Sequence, residues 1–167
     1  MAKSTVSIDN IEMTGEYEGD WKEEKKHGHG VFLFDNGLQY EGEWKDDHMH
    51  GKGRFYWPSG NKYDGEWKNG SMNGHGILYW PEGNKYKGEW KDGLRNGMGT
   101  FFWANGNRYE GEWKDNYMDG KGVFYWVNGD KYEGEYKNDM AHGEGVYYHN
   151  DGRVEKGKWE NGEYVGE

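Results

Sequence analysis

The feature that most constrains this chain is a three-residue frame, Tyr-x-Gly-x-Trp, that returns every 23 residues. Five intact copies and two altered ones occur at Tyr17-Gly19-Trp21, Tyr40-Gly42-Trp44, Tyr63-Gly65-Trp67, Tyr86-Gly88-Trp90, Tyr109-Gly111-Trp113, Tyr132-Gly134-Tyr136 and Glu155-Gly157-Trp159. A Gly-x-Gly pair keeps the same period, from Gly28-x-Gly30 to Gly143-x-Gly145. Repetition at a fixed short period predicts stacked supersecondary units, each too small to bury its own apolar face.

Each repeat reads as a β-hairpin. In the third copy, inward residues alternate with polar ones, Tyr63, Gly65 and Trp67 against Lys62, Asp64, Glu66 and Lys68. Period two is typical of a strand with one packed and one solvated face. Asn69-Gly70 then predicts a tight turn, 74–80 a second strand, and Pro81-Glu82-Gly83 another turn.

The chain is therefore predicted to be all-β, a meander of stacked hairpins forming one antiparallel sheet of about 13 strands. Helix is not expected inside the repeats, because glycine recurs too often and no stretch has helical apolar spacing. Six repeats are assigned to residues 15–152. Residues 1–14 are expected to form an N-terminal cap or extension, and 153–167 a partial repeat that caps the C-terminus.

The glycines indicate where the rings pack. Gly65 leaves no side chain between Tyr63 and Trp67, and Gly74 and Gly76 leave none on the facing strand. A ring from a neighbouring strand can then lie over bare backbone. Tyr, Trp and Phe columns are expected on an inner, concave face. The charged outer face is expected to be solvated, with a weaker apolar band of Tyr56, Tyr79, Phe102, Tyr125 and Tyr148.

Composition narrows the class of protein. The chain has 167 residues and a net charge of -10, yet 18% of its residues are aromatic, which argues for a folded domain. It has no cysteine, no signal sequence and no apolar run near the ~20 residues of a membrane span. We therefore expect a cytoplasmic protein. Its acidity disfavours nucleic acid and anionic lipid as partners, since both bind through Lys and Arg.

The string Tyr40-Glu41-Gly42-Glu43-Trp44-Lys45, followed by His50-Gly51-Lys52-Gly53, closely resembles the MORN repeat. The resemblance covers residues 15–167. It implies a single elongated, twisted antiparallel sheet with an aromatic groove. It also implies a non-catalytic scaffold of cytoskeletal, ciliary or membrane-junction assemblies, whose groove holds a helix or extended segment of a partner. Tyr136 and Glu155 depart from the pattern, near the C-terminal end.

The candidate partner-binding residues are the inward rings of the repeats. They are Tyr40, Trp44, Trp57, Tyr63, Trp67, Trp80, Tyr86, Trp90, Trp103, Tyr109 and Trp113. These rings either contact a guest or pack on one another as a core, and the sequence leaves both roles open. The acidic charge favours a basic guest. Two other classes stay open: a phospholipid-binding adaptor using the lysine columns, and a self-associating rod or homodimer joined through exposed sheet edges.

Catalysis and cofactors are not expected. The pairs His27-x-His29 and His48-x-His50 lie beside turns, without the carboxylate or cysteine ligands that a metal site needs. The recurring Gly-x-Gly lacks the Lys-Ser/Thr and the helix N-terminus of a phosphate loop. No serine lies in a nucleophile setting. The sequence therefore predicts a binding protein with no metal, cofactor or catalytic residue.

Overall fold

The computed structural model describes residues 3–167, which form β-strands joined by short turns and contain no helix. The strands are β1 Lys3–Ile8, β2 Ile11–Lys22, β3 Lys25–Phe34, β4 Gln39–Lys45, β5 His48–Tyr56, β6 Lys62–Lys68, β7 Ser71–Tyr79, β8 Lys85–Lys91, β9 Leu94–Phe102, β10 Arg108–Lys114, β11 Tyr117–Tyr125, β12 Lys131–Lys137, β13 Met140–Tyr148, β14 Val154–Glu160 and β15 Glu163–Gly166.

The strands follow one another in chain order in a single open antiparallel sheet, which confirms the predicted all-β meander. The sheet has 15 strands rather than about 13. The difference lies at the ends, where β1 pairs with β2 and β15 pairs with β14, outside the regular repeats. The chain forms two compact units: unit 1 is 1–81 with 90–93, and unit 2 is 82–89 with 94–167.

Two kinds of turn alternate along the sheet. Inside each repeat a two-residue turn has both central residues at positive φ, as at Asn69 (48°) and Gly70 (84°). This is the type I′ geometry that matches the twist of paired strands, and it confirms the turn predicted there. Between repeats a longer turn closes with a hydrogen bond from the Gly60 amide to the Trp57 carbonyl, 3.0 Å.

The turn at Glu23 and Glu24 uses residues poorly suited to it. Both have positive φ, 50° and 64°, where Asn and Gly are favoured and a longer side chain is strained. We expect the double substitution Glu23→Asn, Glu24→Gly to raise the free energy of unfolding by about 1 kcal/mol. Urea unfolding of the two proteins measures this. The same exchange at the solvent-facing pair Glu16 and Glu18, within a strand, is expected to be destabilising.

The core lies on the inner face and consists mainly of rings. Its hydrophobic members are Val6, Tyr17, Phe32, Phe34, Tyr40, Trp44, Met49, Phe55, Tyr63, Trp67, Tyr86, Trp90, Phe101, Tyr109, Trp113, Met118, Tyr132, Tyr136 and Trp159. The repeat tyrosines Tyr40, Tyr63, Tyr86 and Tyr109 have no measurable exposure, 0% each. Edge-to-face contacts link them to the tryptophans, with 5.3 Å between the ring centroids of Tyr63 and Trp67.

Candidate partner-binding surface

Each repeat tyrosine lies over the glycines beside it. The Tyr63 hydroxyl donates to the Glu66 carbonyl at 2.9 Å, so the ring lies along its own strand. A Cβ added at Gly76 would fall within 3.0 Å of the Tyr63 hydroxyl oxygen and two of its ring carbons, so this glycine is needed for the ring to fit. The hydroxyl bond recurs in Tyr17, Tyr40, Tyr63, Tyr86, Tyr109 and Tyr132.

The sequence predicted that a ring from a neighbouring strand lies over Gly76, and the structure confirms this with Tyr63. Two other details of that prediction were wrong. Gly65 is covered by Tyr63 of its own strand rather than by a ring from a neighbouring one. Gly74 is covered by no ring: it has φ of 89°, and a Cβ there would meet the Glu66 carboxylate. The physical reason is a β-bulge between Gly65 and Trp67, which shifts the register opposite Gly74.

Each repeat tryptophan is anchored to the strand behind it. The Trp67 indole Nε1 donates to the Gly53 carbonyl at 3.2 Å, and its ring is 6% exposed. The same bond joins Trp44 to Gly30, Trp90 to Gly76, and Trp113 to Gly99. Because the indole N–H has a partner, the ring can be buried without loss of hydrogen bonding.

The candidate residues therefore separate into two groups. Eight are buried in the core: Tyr40, Trp44, Tyr63, Trp67, Tyr86, Trp90, Tyr109 and Trp113. Three are only partly buried: Trp57, Trp80 and Trp103. The sequence-based set omitted Trp126, which is also partly buried and continues their 23-residue spacing. The 23-residue spacing of these tryptophans was the signal in the sequence that could have identified Trp126.

In unit 2 the partly buried rings form a continuous series, here called the ring ladder: Trp103, Phe124, Trp126 and Tyr147. Centroid distances between successive rings are 5.1, 4.4 and 5.2 Å. The Tyr147 hydroxyl donates to the Asp130 carboxylate at 2.7 Å, and burial raises the pKa of Tyr147 to about 12. The ladder thus presents aromatic surface, and the hydroxyl group of its last ring, Tyr147, is held in place by Asp130.

A family model for the MORN repeat matches six consecutive segments of this chain, 17–39, 40–62, 63–85, 86–108, 109–131 and 132–152. The chain belongs to the MORN-repeat family. Comparison with curated protein sequences gave no match. The family assignment rests on repeats that span residues 17–152, most of the chain.

Three solved structures resemble this MORN-repeat chain. The TCP domain of Drosophila melanogaster SAS-4 (dCPAP), in complex with a proline-rich motif of Ana2, has 12% identity and a TM-score of 0.49, covering 77% of this chain and 71% of its own. The CPAP G-box domain has 13% identity and a TM-score of 0.40, covering 95% and 100%. Virginiamycin B lyase from Staphylococcus aureus has 11% identity and a TM-score of 0.21, covering 96% and 47%. Likeness at this level carries no functional argument.

One acidic residue of each MORN repeat has a structural role that the sequence did not suggest. The Glu66 carboxylate accepts the backbone N–H of His75, closing the bulge opposite Gly74. Equivalent bonds join Glu43 to Lys52, Glu89 to Met98, Glu112 to Lys121, and Glu135 to Glu144, and Asp20 takes this role in the first repeat. These carboxylates are exposed or partly exposed, as predicted for the outer face, but each also bonds the backbone. A carboxylate repeating at one position beside a glycine pair was the available signal.

The outer apolar band is covered by basic side chains of the neighbouring strand. Cation–ring distances to the centroid are 4.8 Å for Lys62 over Tyr79, 4.6 Å for Lys85 over Phe102, 4.3 Å for Arg108 over Tyr125 and 4.5 Å for Lys131 over Tyr148. Arg108 also pairs with Glu110 at 2.9 Å, and Lys131 with Glu133 at 3.5 Å. These basic groups already have partners on the protein.

Among residues 3–167, no group of three or more His, Asp or Glu side chains is placed to hold a metal ion. The same residues contain no helix with the length and apolar character of a membrane span.

The indole hydrogen bond gives a direct test of the ring packing. Trp113 donates to the Gly99 carbonyl at 3.0 Å, whereas the buried Nε1 of Trp159 has no hydrogen-bond partner among residues 3–167. Trp113→Phe should therefore lower the free energy of unfolding by about 1–2 kcal/mol more than Trp159→Phe, because only the first leaves a carbonyl unpaired. Urea unfolding of both variants measures the difference. Equal losses would show that the indole bond contributes nothing.

Proposed function

We propose that this MORN-repeat chain is a non-catalytic scaffold that binds an extended or helical segment of a partner protein. The observation that carries the proposal is the ring ladder of unit 2. Its rings are only partly buried, although the fold offers fully buried positions to the repeat tyrosines and tryptophans. Clustered aromatic surface that a protein does not bury itself is typical of an interaction site.

Electrostatics favours a basic partner segment. Residues 94–167 contain 14 acidic and 9 basic residues, and Asp130 and Asp139 lie beside the ladder. Acidic groups at the rim of an aromatic surface attract basic segments and repel acidic ones. Arginine and lysine can also stack on exposed rings. We therefore favour a segment that combines apolar and basic side chains.

The outer face supports a protein partner over a lipid surface. Several of its basic side chains are stacked on rings or paired with carboxylates, as at Lys131 with Tyr148 and Glu133. Binding to anionic headgroups would have to displace these contacts. On family membership, we place the scaffold in the cytoplasm, with cytoskeletal assemblies as its expected setting.

The test is cross-linked capture from source cells followed by mass spectrometry. Wild type is compared with Trp103→Ala, Trp126→Ala and a double variant, each checked for its native circular dichroism spectrum. Tyr125→Ala, on the outer face, is the matched control. Partners lost with the ladder variants but kept by Tyr125→Ala support the proposal. Partners retained by every ladder variant contradict it.

A further inference from the structure

Besides the pairing of β2 with β3, four side-chain polar contacts hold the N-terminal hairpin, β1 with β2, against the body of unit 1. The Lys26 ammonium donates to the Thr5 carbonyl at 3.1 Å, and Lys26 itself is 3% exposed. The Ser71 hydroxyl bonds the Asp9 carboxylate at 3.4 Å. Lys3 pairs with Asp35, and the Thr14 hydroxyl donates to the same carboxylate at 2.5 Å. Val6 is 2% exposed, so the hairpin is packed rather than loosely attached.

The tip of this hairpin closes an aromatic pocket in unit 1. The pocket has a volume of about 200 Å³. Ile8, Asp9 and Met13 line it on one side. The repeats line the other, chiefly with Phe55, Trp57, Trp67, Gly70, Ser71 and Met72. Residues 8–13 of the chain are thus seated on the aromatic surface of its own repeats, much as a ligand would be.

The same pocket recurs in unit 2, three repeats later. It has a volume of about 230 Å³. At an offset of 69 residues, its lining contains Phe124, Trp126, Tyr136, Asp139, Met140 and Ala141 in place of Phe55, Trp57, Trp67, Gly70, Ser71 and Met72. Within residues 3–167, no residue of β1 or β2 lines this second pocket. Three of the four rings of the ring ladder line it: Phe124, Trp126 and Tyr147.

The rims of the two pockets differ at the positions that meet the hairpin. In unit 1, a Cβ built on Gly70 would lie 3.1 Å from the Ser7 carbonyl oxygen, so a side chain at this position would crowd the hairpin backbone. Ser71 supplies the hydroxyl that bonds Asp9. In unit 2, Asp139 and Met140 stand at these positions, and the Asp139 carboxylate accepts the Met118 N–H at 2.7 Å. The unit 2 rim therefore carries the Asp139 carboxylate, whereas the unit 1 rim has a serine hydroxyl that bonds the carboxylate of Asp9.

We infer that the unit 2 pocket binds the turn of an extended segment from a partner protein. An aliphatic side chain of that segment occupies the place that Ile8 has in unit 1, and a lysine or arginine occupies the place of Asp9. The apolar requirement follows from the shared rings, and the basic one from the carboxylate at Asp139. The inference rests on the proposed function and specifies the chemistry of the segment that the scaffold recognises.

The test uses two backbone-cyclised peptides and the full-length chain. One peptide has the sequence of residues 3–16, and the other has the same sequence with D9K; cyclisation holds the hairpin that β1 and β2 form. The indole signal of Trp126 in two-dimensional NMR reports occupancy of the unit 2 pocket. We expect the D9K peptide to bind at least fivefold more tightly than the unsubstituted one, with a salt-sensitive affinity.

A matched pair of protein variants makes the test decisive. Trp126→Ala is expected to abolish binding of the D9K peptide, read from the unbroadened NMR signals of the peptide itself because this variant lacks the reporter indole. The double variant Asp139→Gly, Met140→Ser, which copies the rim of unit 1, is expected to reverse the preference toward the unsubstituted peptide. Equal affinity of both peptides, or no binding by either folded peptide, overturns the inference. The capture experiment on the ring ladder is independent of these peptides, so the proposed function can stand when this inference fails.

Discussion

Replacing Gly76 by alanine is expected to lower the free energy of unfolding by about 4 kcal/mol. The added methyl group would fall within 3.0 Å of the Tyr63 hydroxyl oxygen and two carbons of its ring. That ring is fully buried and held by its hydroxyl bond to the Glu66 carbonyl. It cannot move aside without leaving the core, and loss of a buried aromatic ring typically costs about 3–5 kcal/mol.

Gly93→Ala is the matched control for this substitution. No atom lies within 4 Å of a Cβ built on Gly93, but its φ of 79° disfavours alanine. Its expected loss is about 1–2 kcal/mol, from backbone strain alone. Urea unfolding, followed by tryptophan fluorescence, compares the two variants. Similar losses would show that the tyrosine ring does not depend on the glycine beneath it.

Raising the pH above 10 is expected to unfold the protein steeply. Burial raises the pKa values of Tyr40, Tyr86, Tyr109 and Tyr136 well above the ordinary value of 10. Above pH 10 the unfolded chain loses these phenolic protons while the folded chain keeps them, so ionisation stabilises the unfolded state. Each tyrosine lowers the unfolding free energy by about 1.4 kcal/mol per pH unit, or about 5 kcal/mol for the four.

The measurement pairs tyrosinate absorbance with tryptophan fluorescence along an alkaline titration. We expect most of the tyrosinate to appear together with unfolding, in one cooperative step above pH 10. Tyr136→Phe removes one of these groups, so its stability should fall less steeply with pH than that of the wild type, by about 1.4 kcal/mol per pH unit. Gradual ionisation near pH 10 with unchanged fluorescence would contradict the burial of these rings.

Most of the fold could be predicted from the sequence because each repeat contains the signals for its own strands and turns. Alternation of Tyr63, Gly65 and Trp67 with polar residues gave the strand and its buried face, and Asn69-Gly70 gave the turn. The bonding of Glu66 escaped prediction, because it depends on a bulge that breaks the two-residue alternation between strands. Fixed spacing indicates which side chains recur, but it does not show a shift in register.

The candidate site was predicted less well, for a related reason. Trp67 and Trp57 both recur with the repeat, so periodicity places them in the same class. Their burial differs because Trp67 bonds the Gly53 carbonyl, while Trp57 begins a turn between repeats. The sequence also could not predict where the N-terminal hairpin packs. Its contact between Asp9 and Ser71 joins residues 62 positions apart, and Asp9 lies outside the repeat.

We expect buried tryptophans to stabilise the sheet, and we propose that partly buried ones contact the partner. The most direct test compares the unfolding free energies of Trp113→Ala and Trp126→Ala in urea. Trp113 is 5% exposed and bonds the Gly99 carbonyl, whereas Trp126 is partly exposed. We predict that Trp113→Ala is less stable than Trp126→Ala by at least about 2 kcal/mol, with Trp126→Ala still folded. Equal losses would contradict the division between core and contact rings.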